Sequence, residues 1–243
     1  MIRWAGLALG ALLLLTGCAA PPAPETPVEV TVDAETGAET DAETAAAARA
    51  AWQAHRARLA AIDGWNLKGR VAVQTGRKGG SATLLWERAG DRQTIQLHGP
   101  FGGGRIRITA QPGRAELRDS RGRMFAGAHP AEVLRRHTGW RLPFAQLRRW
   151  VRGLPGAGAR DIVVDGRGRV KRFSEGDWRV AYQNYAAVGG LDLPQRLSVT
   201  ARTGRVADLL SGDGDRDRLE VGDRLNVRLV ISRWRDLEVA GAP

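Results

Sequence analysis

WNLKGRVAV, residues Trp65–Val73, settles the class of fold. Trp65, Leu67, Val71 and Val73 fall on one face of an extended chain, with Asn66, Lys68 and Arg70 on the other. A repeat of two is the period of a β-strand, so one side is apolar and the other wet. The alternation recurs in Ala82, Leu84 and Trp86, in Ile95 and Leu97, and in Ile106 and Ile108 between Arg105 and Arg107. It returns in Ala115 and Leu117, in Trp178, Val180 and Tyr182, in Leu197 and Val199, and in Leu225, Val227, Leu229 and Ile231. Turn-forming clusters separate the runs: GRKGGS, RAGDR, QPG, DSRG, DGRG and ARTG. The pattern predicts antiparallel strands. About ten strands in one sheet curl rather than stay flat, and their apolar face needs a cover.

Little of the chain has the helical repeat that could supply it. In residues 44–62, Ala48, Trp52, His55, Leu59 and Ile62 share one helix face, and Asp63-Gly64 is expected to stop it. HPAEVLRRHTG (129–139) has Pro130 at a first-turn position and ends at Gly139. PFAQLRRWVRGL (143–154) places Phe144, Leu147, Val151 and Leu154 on one face. A curved sheet with so few helices over it is expected to leave a cavity lined by Trp, Phe, Leu and Ile.

The beginning of the chain has a different character. MIRWAGLALGALLLLTGC has a basic start at Arg3, an apolar run from Ala5 to Leu15, and then small residues. The run is too short to span a bilayer and reads as a secretory signal, residues 1–17. From Ala19 to Ala48 there are seven acids and no Lys or Arg. Low hydrophobicity with charge of one sign predicts a disordered linker over residues 18–48, followed by one domain over 49–243.

Charge and motifs narrow the function. The whole chain carries +11. Setting aside Arg3 and the seven linker acids leaves 36 bases against 19 acids, +17 for residues 49–243. Such a surface suits anionic head groups or an acidic partner, or reflects an arginine-rich proteome. A secreted chain sits away from DNA and RNA, so nucleic acid is not the expected partner. There is no G-x-S-x-G elbow, no H-E-x-x-H, and Cys18 is the only cysteine. The four histidines show no metal-ligand spacing. Asp213, Asp215 and Asp217 open like a calcium loop, but Arg218 and Arg224 occupy the required glycine and bidentate-acid places. GPFGGGR lacks the G-K-[ST] ending of a phosphate loop. Neither an enzyme nor a cofactor or metal site is expected.

LTGC, ending at Cys18, resembles the lipobox of bacterial lipoproteins, whose cysteine is acylated and becomes the mature N-terminus. Ala19 after it, by the same resemblance, implies sorting to the outer membrane. Behind the lipobox, seven stretches resemble the outer-membrane lipoprotein LolB family. They are WNLKGRVAV (65–73), SATLLWE (81–87), IQLHGPFGGG (95–104), GWRLPFAQLRRWVRG (139–153), DWRVAYQNY (177–185), LPQRLSV (193–199) and LNVRLVISRW (225–234). The resemblance implies a mainly β fold: an incomplete, curved antiparallel barrel of about ten or eleven strands under a helical lid. The implied activity is to accept lipoproteins from the periplasmic carrier LolA and release them into the inner leaflet of the outer membrane. The implied partners are LolA, acylated cargo and outer-membrane phospholipid, and the protein is expected to be a monomer. Residues 202–224 depart from the family, being longer than its usual turn before the last strand. The competing expectation is a structural envelope lipoprotein that holds another component on its basic surface.

The lining and lid residues expected on this basis are Trp86, Leu97, Ile106, Ile108, Trp140, Phe144, Leu147, Trp150, Trp178 and Tyr182. HGPFGGGR (98–105) offers another kind of site. Pro100, Gly102 and their neighbours leave Phe101 little local packing, in a strand-connecting loop that belongs at the surface. The matching family loop carries a protruding apolar residue, usually leucine, for delivery into the membrane. Phe101 is expected to serve there, since aromatic rings insert well at the head-group boundary.

Overall fold

The computed structural model describes residues 30–32, 42–75, 78–99, 104–138, 142–201 and 225–239. Its strands are β1 (Val30–Val32), β2 (Ile62–Thr75), β3 (Lys78–Ala89), β4 (Arg92–His98), β5 (Arg105–Gln111) and β6 (Arg114–Asp119). They continue with β7 (Met124–Gly127), β8 (Ala159–Val164), β9 (Val170–Glu175), β10 (Trp178–Val188), β11 (Leu191–Ala201) and β12 (Leu225–Val239). The helices are α1 (Ala42–Ala60), α2 (Pro130–Thr138) and α3 (Phe144–Trp150). All the strands join one curved sheet in the order β1-β8-β9-β10-β11-β12-β2-β3-β4-β5-β6-β7. Every neighbouring pair is antiparallel except β1 and β8. The two ends of that order do not meet, so the sheet is not closed into a barrel.

The period-two pattern becomes the two faces of this sheet. Trp65 and Leu67 are buried while Lys68 and Arg70 between β2 neighbours are exposed. On β12, Leu225, Val227, Leu229 and Ile231, paired with Thr75, Val73, Val71 and Gly69 of β2, are buried as well. At Gly69 the β2 backbone comes close to that of β12. A Cβ there would lie 2.5 Å from the Val230 carbonyl oxygen, opposite the register shift between Ile231 and Arg233. A missing side chain facing a bulge lets the paired strands bend.

Long-range pairing overrides two of the expected boundaries. Helix α1 ends at Ala60, and Ile62, Asp63 and Gly64 lie inside β2 rather than in or just after the helix. There β2 pairs with the far end of β12, Gly64 with Glu238 and Ile62 with Val239, which outweighs the local Asp-Gly turn preference. Helix α3 stops at Trp150, short of Leu154. Gly153, at φ +85, donates to the Trp150 carbonyl, and Leu154 donates to that of Arg149. Such a left-handed glycine closes a helix by satisfying its last carbonyls.

The segment read as a disordered linker holds regular structure at two places. Val30, Thr31 and Val32 pair in parallel with Ile162, Val163 and Val164 as β1, and α1 already begins at Ala42. Two β-branched valines suit a strand, and β8 presents an open edge for them. A composition argument averages over thirty positions and does not see three.

The helices sit over the concave face. Helix α1 buries Ala48, Trp52 and Leu59, and α2 buries Val133 and Leu134. Just past α3, the buried Arg152 donates to the carbonyls of Leu59 at 3.1 Å and Ile62 at 2.6 Å. Its guanidinium also lies 4.9 Å from the Trp65 ring centre. Burial, then the nearby Arg88, push the Arg152 pKa down to about 10. The arginine pins the end of α3 to the junction of α1 and β2.

Candidate functional site

Between α2, α3 and the sheet lies a cavity of about 840 Å³. That is within the roughly 300–1,000 Å³ of typical ligand pockets. Its walls are inward positions of adjacent strands: Val71 and Val73 of β2, Leu84 of β3, Leu197 and Val199 of β11, and Val227 and Leu229 of β12. Helix α2 contributes Leu134, and α3 with its flanks contributes Leu142, Phe144, Leu147 and Val151. These side chains have neither charge nor hydrogen-bonding groups.

Polar lining is gathered at one part of the wall. Arg105 begins β5, Ser120, Arg121 and Arg123 belong to the β6–β7 turn, and His137 and Thr138 end α2. Asp119 is bonded into that turn. It accepts from the backbone N–H groups of Arg121 and Arg123, each at 2.9 Å, and from Arg123 Nε at 2.7 Å. His137 is shifted toward its neutral form, chiefly by burial. Gly99 and Gly104 also line the cavity, and Gly99 N–H donates to the Gly104 carbonyl at 3.0 Å across the base of the β4–β5 connection.

The expected site residues fall into three groups. Trp86, Leu97, Ile106, Phe144 and Leu147 line the cavity. Ile108, Trp150, Trp178 and Tyr182 do not; they are buried in solid core. The reason is packing: the Trp150 ring meets Phe173 at 6.1 Å and Trp178 at 6.3 Å, and Tyr182 meets Phe173 at 6.3 Å. Trp150 Nε1 donates to Glu175 at 2.8 Å, and the Tyr182 hydroxyl donates to the Trp150 carbonyl at 2.7 Å. Burial holds the Tyr182 hydroxyl well above its ordinary pKa. Ile108 packs under β4 and β6, opposite Ile95 and Leu117. Cys18, Pro100, Phe101, Gly102 and Trp140 lie outside the described residues.

Sequence reasoning favoured aromatic residues and passed over the valines and leucines that make most of the wall. Their signal was present, since all the strand positions belong to the alternating runs. What the sequence did not carry was which inward positions face space and which face other side chains. The polar arc had no local signal, because the sheet and α2 assemble it from three separated segments.

The family model for "Outer membrane lipoprotein LolB" matches residues 63–234. A LolB from Halorhodospira halophila is 37% identical over 165 residues, covering 67% of this chain and 81% of that protein. A LolB from Stutzerimonas stutzeri is 33% identical over 187 residues, covering 76% and 81%. Among solved structures, a DUF1329 family protein from Desulfovibrio piger aligns with a TM-score of 0.41 at 8% identity, covering 81% of this chain and 94% of that one.

Proposed function

The chain belongs to the outer-membrane lipoprotein LolB family, and from that premise we propose that it receives lipoproteins from the periplasmic carrier LolA and inserts them into the inner leaflet of the outer membrane. It is an outer-membrane lipoprotein, and Cys18 is the residue that would carry its own acyl groups. The observation that supports the transfer reading is the 840 Å³ apolar cavity under α2 and α3.

Energetics explain why such a cavity is needed. Each methylene withdrawn from water contributes about 0.8 kcal/mol, so one long acyl chain left in water costs on the order of 10 kcal/mol. Chains must therefore pass from carrier to receptor without full hydration. With no energy source in the step, direction comes from order of affinity: carrier below receptor, receptor below bilayer. Most of the cavity wall here is aliphatic and non-directional, which suits chains of different length and kink. Phe101, in the connection between β4 and β5 beside the cavity-lining Gly99 and Gly104, would enter the head-group boundary and bring the receptor to the leaflet.

A transfer assay tests this. Carrier loaded with acylated lipoprotein is mixed with the chain lacking its anchor, and liposomes are then added. Lipoprotein should move to the chain and then to the liposomes. Phe101→Glu should leave uptake intact and slow release. If no lipoprotein leaves the carrier, the receptor reading fails and a purely structural envelope role takes its place. Equal loss of both steps in Phe101→Glu would make that residue part of the fold.

A further inference from the structure

The polar arc on the cavity wall has a composition that an acylated cysteine does not require. With amine and thiol both blocked by acyl and glyceryl groups, such a residue carries no charge. The arc nevertheless includes three arginines, Arg105, Arg121 and Arg123, against one carboxylate, Asp119. Asp119 is already engaged by Arg123 and by two backbone N–H groups. Among the described residues, no ion pair engages Arg105 or Arg121, and both are exposed. Register brings them together: Ile106 pairs with Asp119 across β5 and β6, so Arg105 stands beside the turn that carries Arg121. Ser120 adds a hydroxyl group to the same wall, while the Thr138 hydroxyl donates to the Leu134 carbonyl at 2.9 Å.

An apolar pocket whose lining includes three arginines at one part of its wall fits an amphiphile with an anionic head. Guanidinium forks match phosphate oxygens, and the pair is strengthened by charge. The outer membrane's inner leaflet is the nearest source of such molecules. We propose that the cavity also takes a glycerophospholipid, its acyl chain among the aliphatic wall residues and its phosphate held by Arg105 and Arg121. This rests on the reading of the cavity as an acyl site and adds a resident lipid to it. Uptake of cargo is then an exchange in which phospholipid leaves as lipoprotein chains enter, so the receptor need not hold an empty apolar space.

The test is displacement of a fluorescent fatty-acyl probe from the full chain, held at constant concentration of a neutral sugar detergent. Three competitors are compared: lysophosphatidylglycerol, a monoacylglycerol of the same chain, and inorganic phosphate. The lysophospholipid should displace the probe about five- to tenfold more effectively than the neutral lipid, with the gap narrowing as salt rises. Arg105→Gln with Arg121→Gln should remove the gap and leave the neutral lipid's midpoint unchanged, which also shows that the variant is folded. Equal displacement by the two lipids in the unaltered chain would overturn the phosphate site while leaving the acyl cavity standing. Displacement by neither lipid would overturn both. Displacement by inorganic phosphate alone would make the arc a free-anion site and end the lipid proposal.

Discussion

The two halves of the sheet's concave face are built from the same kind of strand and reach opposite states of packing. Toward β9 and β10, rings fill the curve: Phe173, Trp178 and Tyr182 close around Trp150 from α3. Their polar ends are fixed, Trp150 by Glu175, Tyr182 by the Trp150 carbonyl and Tyr185 by the Val170 carbonyl. Toward β2, β3, β11 and β12 the inward residues that border the cavity are mostly aliphatic, with the Trp86 ring among them, and 840 Å³ is left between them and the helices. A hydrogen-bonded ring holds one position. A valine or leucine has no directional partner, and a wall of them adjusts to its contents. The solid half sets the curvature and anchors α3, and the hollow half keeps the space that this curvature creates.

Helix α3 crosses the boundary between the halves, so it offers the sharpest way to break the comparison. Trp150 is fully buried. Trp150→Ala should cost about 3–5 kcal/mol of stability, because it empties a closed ring cluster and leaves Glu175 short of a donor. Leu147 is on the same helix but faces the cavity. Leu147→Ala should cost only about 1 kcal/mol, since its side chain is partly buried and borders the cavity, while weakening acyl-probe binding. Urea midpoints of the two variants measure the difference. Similar losses would mean that the two faces of α3 are packed alike.

Adding volume should keep the same ranking of harm to stability. Val180 is fully buried within β10, and Val180→Phe should overpack it at about 1–3 kcal/mol. Ala82 lines the cavity on β3, and Ala82→Phe should change stability by under about 1 kcal/mol because the ring has space to enter. The same ring should reduce acyl-probe binding about tenfold by occupying the guest's volume. Thermal melts and probe titration report the two effects separately. A large stability loss in Ala82→Phe would show that the space is not available to a guest.

The contrast also marks how far the sequence could be read. Alternation at Trp65–Val73 and its repeats was enough for the curved antiparallel sheet, because burial on one face leaves a direct period-two record. The helical faces of Trp52 and Leu59, and of Phe144 and Leu147, were likewise legible. Hollow and solid regions leave the same record: Leu197 and Val180 are both inward residues of alternating strands, yet only Leu197 borders space. Which inward residues meet a ring depends on where α3 lies and where Gly153 ends it, and both follow from contacts distant in sequence. The strand at Val30–Val32 was hidden in an acidic stretch because its partner, Ile162–Val164, is far along the chain.

The smallest expected effect concerns protons, and it separates the two halves by their histidines. His137 lines the cavity, and His55 lies on α1, outside the cavity lining. Both pKa values fall below the ordinary 6.5, in each case chiefly through burial. Asp192 opposes the shift at His55 while Arg58 and Arg169 add to it; at His137, Asp119 opposes it and Arg123 adds to it. A base with a depressed folded-state pKa takes up its proton first in the unfolded chain. Stability is therefore full above about pH 6.5 and declines as the pH falls through the lower folded-state values. The loss should be small, because both histidines are partly exposed and solvent screens the effect. Urea midpoints at several values between pH 7.5 and 5 should show the decline, and His55→Gln and His137→Gln should each flatten part of it. Filling the cavity with a single-chain lipid should deepen only the His137 share, because only that ring borders the guest. A lipid effect on the His55 share instead would mean that the two halves respond as one body, and that the solid half is not the fixed frame its packing describes.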